Sequence, residues 1–213
     1  MSFPVKVFFA WVVAGFVFSF QVQAQDDADV QWYENFFRPQ KHKAVEKDII
    51  DANARRLKAI DARNKPDEVK ALIELGIFHV TRVIDYEQAL GWLMRSLAIE
   101  DSLNLQKEKI FTYLAIARVF EEVGDNYKSL EFLNQAQRLS DQEKNRYIQT
   151  LILNESGRVK AAHGNEEAAF EDYELALEYA RELKQQGLEA DALIHIGQLL
   201  TRKRKNKIGR AHV

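Results

Sequence analysis

Apolar positions recur with the spacing of amphipathic helices from residue 69 onward, and the pattern repeats every 40 residues. Three stretches align without gaps, beginning at Ile84, Gly124 and Gly164. Each opens with a turn pair and continues as an amphipathic segment. Asp125 and Asn165 follow the two glycines, and their side chains suit helix N-caps. The pattern therefore predicts a helix that begins at the same point of every 40-residue unit.

Small and bulky residues alternate at helical spacing inside these segments. The small positions are Ala89, Ser129 and Ala169, then Ser96, Ala136 and Ala176, and the bulky ones between them are Leu93, Leu133 and Tyr173. This order lets two helices approach closely around one large side chain. We therefore expect these positions to face a partner helix.

A second helix is predicted before each turn. It is marked at the 40-residue period by Ile77, Ala117, Gly157 and Gly197, each preceded by an apolar cluster. Gly76 lies one residue ahead of this period, which predicts one extra residue near Val83. The unit is thus helix, short turn, helix. The predicted fold is all-α, an antiparallel helix-hairpin solenoid of about three and a half repeats.

Four segments carry a family resemblance. GDNYKSLEFLNQAQ and GNEEAAFEDYELALEYA resemble the second half of the tetratricopeptide repeat, while LNESGRVKAAHGN and ALIHIGQLL resemble its first half. The resemblance covers residues 69–206 and implies an α–α superhelix that binds a protein or peptide. The period of 40 differs from the roughly 34 residues usual in this family, so other helical-hairpin solenoids remain the alternative.

Residues 1–24 resemble a signal peptide. Lys6 precedes the apolar run Val7 to Phe20, which is shorter than the roughly 20 residues of a membrane-spanning helix. Val22 and Ala24 are small residues placed for signal-peptidase cleavage. We expect an exported chain, periplasmic or otherwise extracytoplasmic. The alternative is an N-terminal anchor that is retained.

Residues 25–66 are predicted to form an N-terminal aromatic segment followed by a capping helix. The aromatic residues are Trp32, Tyr33, Phe36 and Phe37, and they either help to cover the first repeat or form a docking patch. The helix is predicted from His42 to Arg63, with Ile49, Ile50, Leu57 and Ile60 on one stripe. The repeats then occupy 67–206, as units 69–108, 109–148, 149–188 and the incomplete 189–206.

The last unit does not follow the period. A turn is expected near Arg204, and Leu193, Ile196 and Leu200 are left without a second helix to cover them. Residues 207–213 lack apolar periodicity and resemble translated sequencing adapter, so we expect a non-native tail on a fragment of a longer protein. A genuine basic tail is the alternative.

The chemistry-bearing residues form no catalytic or metal motif. The chain has no cysteine, no His-Glu-x-x-His pattern and no phosphate-binding glycine loop. His79 and His195 are expected to be packed or groove-lining, and the carboxylate pairs (Glu121-Glu122, Glu166-Glu167, Glu171-Asp172) to lie on solvated faces. A net charge of -2 argues against a nucleic-acid partner. We expect no catalysis, cofactor or metal in this sequence.

Four residues are candidates for a binding groove. In a solenoid of this kind the first helices line the concave side, so residues 40 apart stack along it. Arg118, Arg158 and Gln198 form one such row, and Asn154 lies one turn before Arg158. Two stacked guanidiniums with a nearby amide suit a carboxylate or an acidic peptide. The competing interpretation pairs both arginines with Glu121, Glu122 or Glu155.

The expected partner is a protein or peptide, with no nucleic acid, no small-molecule cofactor and membrane contact only through a segment beyond this sequence. The leading hypothesis is a sensory or docking module, because the chain resembles the exported N-terminal region of bacterial diguanylate cyclases or sensor histidine kinases with such repeats. The alternatives are a free-standing periplasmic scaffold or assembly factor, and an enzyme whose catalytic residues lie elsewhere.

Overall fold

A computed structural model of the chain describes the backbone of residues 45–211 and the side chains of residues 46–204. This range is all-helical and contains no strand. Its eight α-helices are α1 (Val45–Asp61), α2 (Lys65–Phe78), α3 (Tyr86–Leu103), α4 (Gln106–Glu122), α5 (Asn126–Glu143), α6 (Arg146–Ala162), α7 (Glu166–Glu182) and α8 (Gln186–Ala211). The predicted signal peptide and the aromatic residues before residue 45 lie outside the described residues.

The second helix of each repeat begins where the sequence predicts. The side chains of Asp85, Asp125 and Asn165 accept hydrogen bonds from backbone N–H groups three residues ahead, at 3.0, 3.1 and 3.3 Å. These caps satisfy one of the four N–H groups that a helix start leaves unbonded. The three caps are 40 residues apart, so the same local signal sets the register of α3, α5 and α7.

The predicted extra residue in the first repeat takes the form of a π turn. A Cβ on Gly76 would lie 2.6 Å from the Leu93 side chain, and a Cβ on Gly157 would lie 2.6 Å from the Tyr173 ring. These equivalent glycines are separated by two periods plus one residue. The π turn at His79–Val83, which follows α2, absorbs that residue, and Ile84 then ends it in the left-handed conformation.

The predicted small and bulky positions form the packed faces of the hairpins. All nine are buried, and Leu93, Leu133 and Tyr173 are among the largest side chains removed from solvent. Tyr173 lies against Gly157, where the missing side chain allows α6 and α7 to approach closely. The alternation therefore fixes which face of each second helix meets its partner.

The helices are stacked as a helical-repeat solenoid. Each described helix packs extensively against the next along the chain, and α2 also meets α4 and α6 meets α8. No comparable contact joins α3 to α5, α5 to α7 or α4 to α6 within the described range. Helices α4 and α6 meet instead through the ion pairs of Arg158 with Glu121 and of Arg118 with Glu155. The first helices of the repeats therefore lie on the inner side of the stack, and the second helices lie on its outer side. The all-α solenoid prediction is confirmed.

Helix α1 covers α2, but not through the predicted apolar stripe. Ala52 and Ala59 are its buried residues, whereas Ile50 is 63% exposed and Leu57 and Ile60 are also exposed. Of the four residues of the predicted stripe only Ile49 is half-buried, so the stripe as a whole does not form the contact with α2. Small residues form the contact between α1 and α2 because they let the two helix backbones approach closely. The ion pair between Arg55 Nη2 and Glu74 Oε2, 2.5 Å apart, holds that orientation.

The last helix leaves one face uncovered, as the sequence predicts. Leu193 is 46% exposed and Leu200 is 54% exposed, while Ile196 packs partly against the cluster around Tyr173. Contrary to the turn expected from the period, α8 continues through Arg204 to Ala211. Good helix formers such as arginine and lysine occupy this stretch, and no glycine or proline interrupts it near residue 204.

Candidate binding groove

The inner faces of α4, α6 and α8 together form the surface that we call the groove. Arg118, Arg158 and Gln198 occupy equivalent positions on the three helices, and the structure brings the two arginines together. Both guanidinium side chains are partly buried, with about a quarter of their surface exposed, whereas Gln198 is exposed. The predicted row is therefore continuous from α4 to α6 and ends in an open amide on α8.

Both arginines are engaged with glutamates. Arg158 donates to Glu121 on α4 and to Glu155 on its own helix. Arg118 Nε lies 3.0 Å from Glu122 Oε1, and Arg118 Nη1 lies 3.9 Å from Glu155 Oε2. Of the two interpretations drawn from the sequence, ion pairing to these three glutamates is the one that the structure contains. The guanidiniums are thus already neutralised by the chain itself.

Two of the carboxylates that were expected on solvated faces are enclosed. The Glu121 side chain is 12% exposed because Arg158 reaches it from the neighbouring repeat. Asp172 is similarly buried beside Lys160, with an Nζ–Oδ2 distance of 2.6 Å. The expectation was wrong for these two residues because stacking of the helices covers positions that a single helix would leave in water. Removing one partner of such a pair leaves an unpaired charge with little access to water, which destabilises the fold.

The centre of the groove carries an acidic excess. Four carboxylates (Glu121, Glu122, Glu155 and Asp191) surround only two guanidiniums. Burial raises the pKa of Glu155, and nearby Arg118 opposes that shift. Asp191 and Glu122 also raise the pKa of Glu155, because a like charge disfavours ionisation. The exposed carboxylate edge of this network is therefore suited to a positive group.

Asn154 lies deeper than the row of arginines. The residue is 7% exposed, and its Oδ1 has no hydrogen bond within the described part of the chain. Its equivalents are the buried Leu114 and the exposed Ile194. A buried acceptor such as Asn154 Oδ1 is stabilised by a hydrogen bond, and a bound peptide could supply the donor. The structure thus places Asn154 between an apolar inner wall on α4 and an apolar open position on α8.

An aromatic pair lies under the α8 side of the groove. The rings of Tyr173 and His195 stack with centroids 4.9 Å apart and an angle of 7° between planes. Burial lowers the pKa of His195, as does Arg158, while Asp191 raises it. Burial also raises the pKa of Tyr173 to about 12. His195 is half-buried and packed against Tyr173, as expected. In the sequence, only the 40-residue equivalence of His195 and Glu155 indicates this location.

His163 caps the C-terminal end of α6 and contacts Tyr127 edge-on, with ring centroids 4.8 Å apart. In residues 46–204, no three histidines or acids are grouped so that they could hold a metal ion. None of the described helices combines the length and apolar content that crossing a membrane requires.

No protein-family model matches the sequence, and no curated protein matches it either.

Proposed function

We propose that this chain is an extracytoplasmic helical-repeat module that binds a segment of another polypeptide in the groove of α4, α6 and α8. The observation that carries the proposal is the row of partly exposed polar side chains on equivalent positions of successive first helices, ending in the open Gln198. A row with a regular spacing can follow an extended or helical segment over several residues. Solenoids use their inner surfaces for this purpose.

The charge of the groove favours a basic segment over an acidic one. Glu122 and Glu155 keep 38% and 32% of their side chains exposed, beside arginines that are already paired. A lysine or arginine of the partner would meet these carboxylates and extend the ion-pair network. An acidic segment would have to displace Glu122 or Glu155 from a guanidinium. The displaced glutamate would then be left unpaired, so the exchange of ion pairs would be unfavourable.

The proposal is one of binding and not of catalysis. A catalytic carboxylate must be free to accept or donate a proton within reach of a substrate. Here Glu121 and Glu155 are held by Arg158, and His195 is stacked on Tyr173. These groups are engaged in keeping the two repeats together. Binding residues that are fixed in this way present a preorganised surface to a partner.

Peptide binding in solution tests the proposal. Two pools of random peptides, matched in length and apolar content, would differ only in carrying lysine or glutamate at fixed positions. We expect the lysine pool to raise the fluorescence anisotropy more on addition of the chain, with a response that weakens as salt rises. Preference for the glutamate pool, or no response to either, would contradict the proposal.

A pair of variants locates the binding. Glu122→Gln removes an exposed groove carboxylate and should weaken binding of the lysine pool. Glu178→Gln makes the same change at an exposed position of α7, on the outer side, and should leave binding unchanged. Equal losses in both variants would show that attraction by the overall charge, and not the groove, accounts for the binding.

The location outside the cytoplasm rests on the character of residues 1–24. If this segment is a signal peptide, the chain recovered from its host begins at Gln25. N-terminal sequencing of that chain tests the proposal, and an intact Met1 or Ser2 would favour the retained anchor. Attachment to a membrane-bound signalling protein is the context we propose, with a free-standing scaffold as the alternative.

A further inference from the structure

A cluster of polar side chains is buried where α3 packs against α4. Ser96 and Glu100 belong to α3, Thr112 belongs to α4, and all three residues are fully buried. Thr112 Oγ1 donates to Glu100 Oε1 at 2.5 Å, and Ser96 Oγ donates to the same oxygen at 3.0 Å. The two hydroxyl oxygens are 3.3 Å apart. The polar contact between the two helices therefore converges on one carboxyl group.

The equivalent contacts of the later repeats are built without an acid. The residues that replace Ser96, Glu100 and Thr112 at the 40-residue period are small or apolar, and all of them are buried. They are Ala136, Ser140 and Ile152 between α5 and α6, and Ala176, Ala180 and Ala192 between α7 and α8. Among these three contacts, only that of α3 with α4 therefore depends on the charge of a side chain.

The cluster suits a neutral carboxyl group better than a carboxylate. A protonated carboxyl group can donate to one of the two hydroxyl groups and accept a hydrogen bond from the other. An ionised carboxylate can only accept, and both hydroxyl groups reach the same oxygen, Oε1. Glu100 Oε2 is buried and has no hydrogen bond within the described residues. A charge shared by this oxygen would therefore be poorly solvated.

The charged groups beside the cluster do not neutralise a carboxylate. Glu108 and Lys109, at the start of α4, act on Glu100 with opposite charges, and Lys109 Nζ is held by Asp101. Burial raises the pKa of Glu100 to about 7, against the hydrogen bonds from Thr112 and Ser96, which lower it. Glu108 adds to the rise, and Lys109 opposes it. Glu100 therefore changes its charge near neutral pH.

We propose that the contact between α3 and α4 is a pH-operated joint, which is closed while Glu100 is protonated and opens when this residue ionises. Opening lets water reach the carboxylate, which is otherwise enclosed. The ion pairs of the groove join α4 to α6, on the far side of α4 from the joint, and opening leaves them in place. The joint therefore acts on the way in which α3 is held, and it does not depend on what the groove binds.

The direction and size of the effect follow from linkage. The closed joint holds the Glu100 proton up to about pH 7, whereas a hydrated glutamate holds it only up to about pH 4.5. Raising the pH through this window therefore favours the open joint. We expect the ratio of open to closed chains to rise about tenfold between pH 6 and pH 8.

Hydrogen exchange of the full chain measures this ratio, once the intrinsic pH dependence of exchange is divided out. Backbone amides of residues 96–103 and 109–116 flank the joint, and the equivalent residues 136–143 and 149–156 are the internal control. We expect protection at the joint to fall about tenfold from pH 6 to pH 8, with a smaller change in the control set. An equal loss in both sets would indicate unfolding of the whole chain and would overturn the joint, as would no loss in either.

A pair of variants assigns the effect to one carboxyl group. Glu100→Gln cannot ionise, so the protection of the joint should lose its pH dependence. Glu131→Gln makes the same change at an exposed position of α5 and should behave as the unchanged chain does. A joint that keeps its pH dependence in Glu100→Gln would contradict the proposal.

The carboxyl carbon of Glu100 gives a second measurement that needs no substitution in the joint. Its NMR signal in the unchanged chain should titrate near pH 7, with the same midpoint as the loss of protection. A midpoint near 4.5 would show that the carboxyl group is hydrated in the closed chain, and the proposal would then fail.

Discussion

Replacing Glu100 by glutamine changes a single buried acid between α3 and α4. Glu100 is fully buried, and its Oε1 accepts hydrogen bonds from Thr112 Oγ1 at 2.5 Å and from Ser96 Oγ at 3.0 Å. Its Oε2 is buried with no hydrogen bond in the described part of the chain. The equivalent positions hold Ser140 and Ala180, so the later repeats place small residues here.

The size of the pH-dependent change in stability follows from the pKa of Glu100. Burial raises the pKa of Glu100 from 4.5 to about 7, against the hydrogen bonds from Thr112 and Ser96, which lower it. Because the folded chain holds this proton more tightly than the unfolded chain, the group's contribution to stability is complete below pH 4.5 and is lost as pH rises through 7. The loss amounts to about 3 kcal/mol at alkaline pH.

Urea unfolding over a pH series measures the effect. We expect Glu100→Gln and the unchanged chain to differ by a constant amount below pH 4.5, and the variant to gain about 3 kcal/mol relative to that baseline above pH 7. Glu87→Gln, at an exposed position of the same helix, serves as the control for replacing a carboxylate by an amide. A difference for Glu100→Gln that stays constant with pH, or grows towards acid, would refute the reasoning.

Four further predictions concern the backbone and the caps. Gly157→Ala should lower the free energy of unfolding by about 2 kcal/mol, because its Cβ would lie 2.6 Å from the Tyr173 ring. Gly197→Ala should raise it by about 0.5 to 1 kcal/mol, and urea titrations that give the opposite order would contradict the packing. Asp125→Ala should cost about 1 kcal/mol in thermal unfolding through loss of its cap, while Asp125→Asn should cost little. Lys144→Gly should stabilise by about 0.5 kcal/mol, because residue 144 has φ of 53°, and a lower urea midpoint would refute this.

The elements with local signals could be predicted from the sequence. An N-cap such as Asp125 depends on atoms three residues away, so the start of α5 is visible in the sequence itself. The alternation around Leu133 is equally local, because its meaning depends only on helical spacing. Even the extra residue near Val83 was visible as a shift of Gly76 against the period.

The groove chemistry depended on contacts between repeats and was only partly predictable. Arg118 and Arg158 were placed in one row, but their partners could not be chosen without knowing how closely α4 and α6 stack. Glu121 illustrates the point, because the residue looks exposed on its own helix and is enclosed by an arginine from the next repeat. The packed face of α1 could not be predicted for a similar reason, since the buried Ala52 is less hydrophobic than the exposed Ile50.

The position of a bound peptide in the groove tests the central claim most directly. A photo-reactive phenylalanine derivative replaces Gln198 in one variant and Leu175, on the outer side of α7, in another. Each variant is illuminated with a labelled peptide from the lysine pool, and the cross-linked product is quantified. Binding in the groove predicts strong cross-linking from position 198 and little from position 175. Equal cross-linking from both positions, or a stronger product from position 175, would contradict the proposal.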